Sequence, residues 1–127
     1  MATIEVTDEN FQEITARDGI VILDFWATWC GACRTFSPVY EAASEEHPDI
    51  VFGKVDTEAA TQISYATGIR ALPTVAVYRD SIRVFFQAGA LPKPALKELI
   101  AKVRALDMEQ VRAELDNHAH DPGHVHS

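Results

Sequence analysis

The sequence predicts an α/β domain: a central mixed β-sheet with helices on both faces, then an extra C-terminal helix and a tail. Three observations carry this reading. Residues 20–26, Ile-Val-Ile-Leu-Asp-Phe-Trp, are almost continuously apolar, as in a central strand covered on both sides. Strand-like and helix-like segments alternate through the first 70 or so residues, as a sheet with helices on its faces requires. Two further strand-like runs, 73–78 and 82–87, are joined by a turn at Asp80 and Ser81, and so short a connection implies an antiparallel pair.

The elements follow in order. Residues 3–6 alternate and read as a short strand. Thr7 is placed to cap a helix over 8–17, with Phe11 and Ile14 inward and Gly19 ending it. After the 20–26 strand, a long helix is expected over 31–47, with a kink at Pro38, which lacks an N–H and crowds the preceding turn. Residues 50–56 form the next strand, and 58–67 a helix that Gly68 terminates. Beyond the hairpin, a helix over 92–105 carries Leu96, Leu99, Ile100 and Val103 at helical spacing, with Pro92 near its first turn. Asp107-Met108-Glu109-Gln110 has the pattern of a capping box and opens a second helix to about residue 117, with Met108, Val111 and Leu115 on one face. The chain is thus divided into a body, 1–106, a helical extension, 107–117, and a tail, 118–127, whose Pro, Gly and four histidines suggest disorder.

Composition narrows the function classes. At 127 residues, 47% of them hydrophobic, the chain is long enough for one ordinary core. A net charge of −8 argues against nucleic acid, whose phosphates need clustered Lys and Arg. The body holds 14 acidic and 10 basic residues and the segment after 106 holds 5 and 1, so half of the excess lies in the last 21 residues. No apolar stretch is long enough to span a membrane, and the N-terminus has no secretory pattern, so a cytoplasmic protein is expected.

Cys30 and Cys33 are the only cysteines. They lie where the 20–26 strand gives way to a helix, and a helix N-terminus offers unpaired N–H groups and the positive end of its dipole. Both stabilise a thiolate, so Cys30 is expected to be acidic and nucleophilic, with Cys33 in reach to close a ring. So short a loop gains little by entropy, which points to chemistry rather than stapling. Zinc wants four ligands, and no second cysteine pair exists. His118, His120, His124 and His126 have paired His-x-His spacings, but a flexible tail without supporting groups binds metal weakly, and an inert tail is expected. Asp24 is a carboxylate inside a buried strand; ionising it is costly, its pKa should rise, and a general base tuned toward neutrality behaves in that way. Pro73, at the entrance to a strand, reads as a turn or edge device, for which a cis bond is the typical reason.

Residues 1 to about 106 resemble thioredoxin from end to end. The resemblance rests on Asp24-Phe25-Trp26-Ala27, on Trp29-Cys30-Gly31-Ala32-Cys33-Arg34, and on Pro38 in the following helix. It continues through Lys54-Val55-Asp56, Gly68-Ile69-Arg70-Ala71-Leu72-Pro73-Thr74 and Ala88-Gly89-Ala90-Leu91, in order and at matching separations. It implies the thioredoxin fold and a protein-disulfide reductase that maintains redox balance. Cys30 would attack a substrate disulfide, and Cys33 would resolve the mixed disulfide. Asp24 would exchange a proton with Cys33, with Lys54 close to the acid. A cis Leu72–Pro73 bond would stand beside the cysteines, Leu72 pairing with an extended substrate segment. Trp29, Leu72, Gly89 and Ala90 would form an apolar rim. The partners implied are disulfide-containing proteins and a flavin- and NADPH-dependent thioredoxin reductase. The cofactors belong to that enzyme; this chain lacks a Gly-x-Gly-x-x-Gly turn, and neither a cofactor nor a metal of its own is expected. A monomer is expected.

The chain departs from the family at two places. Gly31-Ala32 stands where Gly-Pro is common, and losing proline's fixed φ is expected to make the pair somewhat more oxidising. Ser81 stands where glycine is usual, a change expected to alter the turn type only. Two other readings stay open at this level: a thiol oxidase or isomerase, and a chaperone or interaction module that uses the C-terminal tail.

Overall fold

The apolar run Ile20–Trp26 is the middle strand of a five-stranded sheet, and both of its faces are covered. The computed structural model describes residues 2–120. Their order is β1 (Thr3–Glu5), α1 (Phe11–Thr15), β2 (Ile20–Trp26), α2 (Gly31–Glu46), β3 (Val51–Asp56), α3 (Thr61–Thr67), β4 (Thr74–Arg79), β5 (Ile82–Ala88), α4 (Lys93–Arg104) and α5 (Met108–His120). The sheet runs β1-β3-β2-β4-β5. β1 and β2 flank β3 in parallel, whereas β4 is antiparallel to both β2 and β5, so the sheet is mixed as expected.

Alternation along β2 builds two cores. Ile20 and Ile22 pack with Phe36 and Tyr40 of α2 and Leu96, Ile100 and Val103 of α4. Val21, Leu23 and Phe25 pack on the other face with Ile14 of α1 and Ile63 of α3. Asp24 has the parity of Ile22 and therefore looks toward α2. The sheet is drawn tight beside it: a Cβ on Gly53 would lie 2.6 Å from Val6 Cγ2 and 2.8 Å from Leu23 Cδ2, so only glycine fits there. The buried Tyr40 hydroxyl lies 2.9 Å from the Ile22 carbonyl and 2.7 Å from that of Gly53, tying α2 to β2 and β3.

The starts of α1 and α3 differ from the expected ones, through local side-chain caps and, for α3, through a partner distant in sequence. Thr7 and Asn10 exchange bonds, Thr7 N–H donating to Asn10 Oδ1 (2.7 Å) and Asn10 N–H to Thr7 Oγ1 (3.3 Å). That reciprocal cap holds 8–10 as turns, and α1 starts at Phe11 rather than at 8. Asp56 accepts from the Glu58 N–H (2.9 Å), and α3 begins only at Thr61. The exposed N–H groups of α3 are met by Asp8, which accepts from Ile63 (2.9 Å) and Gln62 (3.4 Å). α2 is continuous through Pro38. The guanidinium of Arg79 donates to the carbonyls of Val103, Arg104 and Leu106, at the negative end of α4.

The two-residue connection of β4 and β5 has positive φ at both Asp80 (51°) and Ser81 (70°), the primed geometry that suits a twisted hairpin. Ser81 therefore occupies a left-handed conformation that disfavours a side chain. Ser81→Gly should raise stability by about 0.5–1 kcal/mol, read as an upward shift of the urea midpoint; an unchanged or lower midpoint contradicts it.

Asp107 caps α5 by accepting from the Glu109 and Gln110 N–H groups, but the Gln110 amide donates onward to Glu114, so only half of the expected capping box forms. Met108 is buried, and Arg112 lies 3.8 Å from Asp80 in the hairpin turn. The helix extends to His120, three residues past its expected end. The remainder of the expected tail, 121–127, with His124 and His126, lies outside the described residues.

Candidate active site

β2 delivers the chain to a loop, and Cys30 stands at the N-cap of α2 in extended conformation (φ −88°, ψ 110°). Its sulfur accepts a hydrogen bond from the Cys33 N–H at 3.1 Å. A sulfur thus fills the place where a helix usually takes a Ser or Asp oxygen, facing the N–H groups that stabilise negative charge. The two Cα atoms are 5.2 Å apart and the pair is closed as a disulfide. Both residues are almost equally covered, Cys30 6% and Cys33 4% exposed, so the hydrogen bond rather than exposure distinguishes the two sulfurs.

Ala27 completes a small apolar cluster with the cysteines, and Trp26 and Leu72 pack against it. Trp29 is 67% exposed beside them, a large ring turned to solvent. The Leu72–Pro73 bond is cis, and the Pro73 carbonyl accepts from the Gly89 N–H (2.8 Å). Leu72 is thereby brought to the cysteines, whereas Gly89 joins the site through Pro73 and Ala90 lies exposed beyond it. Gly89 has φ +113°, and a Cβ there would meet nothing within 4 Å; its backbone, not crowding, demands glycine. Gly31 and Ala32 are exposed in the first turn of α2.

Behind the disulfide lies a cleft of about 260 Å³, lined by Asp24, Trp26, Cys33, Arg34, Ser37 and Lys54. Asp24 is 1% exposed, and neither carboxyl oxygen has a hydrogen-bond partner. Burial pushes its pKa up to about 7; the Lys54 ammonium opposes that rise and the Glu41 carboxylate adds to it. Lys54 is the register partner of Asp24 on β3 but forms no ion pair with it. Its Nζ donates instead to Ser37 Oγ at 3.1 Å, lies 3.9 Å from Glu41 Oε2 and sits 5.4 Å from the Trp26 ring centroid. Lys54 therefore acts on Asp24 through its field.

Sequence reasoning passed over Ser37, Tyr40 and Glu41. A signal existed for two of them: Cys33, Ser37 and Glu41 are spaced by four and lie along one side of a helix. Among the described residues no group of three or more His, Cys, Asp or Glu is arranged to hold a metal, and no helix is long and apolar enough to cross a membrane.

The thioredoxin family model matches residues 2–102. The chain belongs to the thioredoxin family. A Streptomyces coelicolor protein that carries a thioredoxin name is 50% identical over 111 residues, covering 87% of this chain and 83% of that protein. Bacillus subtilis thioredoxin is 36% identical over 103 residues, 80% of this chain and 98% of its own. Among solved structures, Malassezia sympodialis thioredoxin aligns with a TM-score of 0.72 at 32% identity, over 79% of this chain and 89% of that one. Plasmodium falciparum thioredoxin also gives 0.72, at 35% identity, over 79% and 97%. The thioredoxin fold and the paired cysteines go together with thiol–disulfide exchange, and the chain is a thioredoxin-type protein-disulfide reductase acting through Cys30 and Cys33.

Proposed function

We propose that Cys30 is the attacking sulfur and that the site works as an electron carrier between a thioredoxin reductase and disulfide-bonded proteins. The observation that supports this assignment is the Cys33 N–H directed at Cys30 Sγ. The Cys30 thiolate attacks a substrate disulfide, forming a Cys30–substrate S–S bond and releasing the other substrate sulfur as a thiolate. Cys33 then yields its proton toward Asp24 across the cleft and attacks Cys30 Sγ. The mixed disulfide breaks, the second substrate thiolate leaves, and the Cys30–Cys33 disulfide forms. Two electrons pass to the substrate. The flavin and NADPH of the reductase restore the dithiol.

Trp29 and Leu72 supply the apolar contact surface, with Pro73 fixing Leu72, and with Gly89 and Ala90 beside them. Lys54 tempers the charge of Asp24, while Gly31 and Ala32 form the turn between the sulfurs. The working unit is 1–106, with 107–117 an extension and 118–127 a tail. A dithiol must persist between cycles, which suits the reducing cytoplasm, where we place the protein as a monomer.

The test supplies NADPH, a thioredoxin reductase and a model disulfide protein. The wild type should sustain NADPH consumption, and Cys30→Ser should fall to the rate seen without any carrier. Equal rates for the two proteins would overturn the assignment.

A further inference from the structure

Lys54 and Trp26 together divide two clefts. The first holds Asp24, Cys33 and Ser37. The second, about 320 Å³, holds Thr3, Glu5, Glu41 and Asp56 on the other side of the same two side chains. The second has three acids to draw an ammonium and the first has one, so electrostatic attraction alone would carry Lys54 away from Asp24. Lys54 nevertheless makes its short bond on the first side, to Ser37 Oγ at 3.1 Å, and stays 3.9 Å from Glu41. Glu41 is engaged by Thr3, whose Oγ1 donates to its Oε1 at 3.2 Å.

We propose that Ser37 is a positioning residue for the exchange reaction: its hydroxyl tethers the Lys54 ammonium on the Asp24 side of the wall, against the pull of Glu41. The other groups near Asp24 are committed. Arg34 donates to the Thr28 carbonyl at 2.7 Å, and the Tyr40 hydroxyl is taken up by the Ile22 and Gly53 carbonyls. On β4 the register partner of Asp24 is Val75, which carries no charge. Lys54 is therefore the cation whose placement decides how readily Asp24 takes and returns a proton, and Ser37 decides that placement. The inference rests on the reading of Asp24 as the proton partner of Cys33.

The experiment follows the Asp24 carboxyl by carbon NMR in the oxidised full chain, together with the pH profile of substrate release. Ser37→Ala should move the carboxyl midpoint upward by about half a pH unit, because the compensating charge drifts away. In a Lys54→Gln background the same change should move nothing, and Ser37→Thr should restore the wild-type midpoint. An unmoved midpoint, or an equal shift in both backgrounds, overturns the tether. If the midpoint moves while the release profile stays fixed, the tether stands and the proton-partner reading of Asp24 falls.

Discussion

Replacing Asp24 with asparagine should make the oxidised protein more stable by roughly 4 kcal/mol at pH 8, and should change little at pH 3.5. The sign follows from which state holds the proton more tightly. In the folded chain the Asp24 pKa is raised from 3.8 to about 7, so the native state binds the proton more strongly than the unfolded state does. Below about pH 4 the carboxyl is protonated in both states and costs nothing extra. Between about 4 and 7 stability falls as pH rises, and above 7 the full penalty of a buried, unpartnered anion is present. Asparagine mimics the protonated acid at every pH, and the site has no hydrogen-bond donor for it to forfeit. Urea unfolding of both proteins across this range is the measurement. Parallel stability curves would show that burial does not tax the anion. On these terms a neutral residue at this buried position would be more stable than Asp24.

Cys33→Ser should convert the protein from a catalyst into a trap. Cys30 can still attack, so one substrate becomes attached through a Cys30–substrate disulfide, but no second sulfur stands near enough to release it. NADPH-driven turnover should be abolished while a one-to-one adduct accumulates, visible by mass and cleared by added dithiol. Cys30→Ser should give no such adduct, because the N–H bond that favours a thiolate is given to Cys30 Sγ and not to Cys33 Sγ. If the Cys30→Ser protein formed the adduct and the Cys33→Ser protein did not, the two roles would be reversed.

Much of this was legible in the chain. Cys30, Cys33, Asp24 and Pro73 are residue types whose local setting already states a chemistry, and the apolar run at 20–26 marks its strand without help. The structure brings Asp24 and Cys33 to one cleft, sets Leu72 against the cysteines and has a cis bond before Pro73. What stayed hidden depends on partners distant in sequence. Asp8 caps a helix 55 residues away, so the late start of α3 could not be read locally. Ser37 and Glu41 look like ordinary helix surface until β3 brings Lys54 between them. Ser81 keeps a geometry that glycine would adopt more easily, because the strands on either side impose it.

The register of β2 against β4 pairs Ile20 with Arg79 and Phe25 with Thr74. The hairpin turn, and α5 which reaches it through Arg112, therefore lie beside the beginning of β2, while the sulfurs follow its end. Seven strand residues at about 3.3 Å each set these two poles roughly 20 Å apart. A dye placed on the hairpin turn, where Arg112 of α5 meets it, is thus held at the rear of the molecule, and its reactive front stays open to whatever arrives.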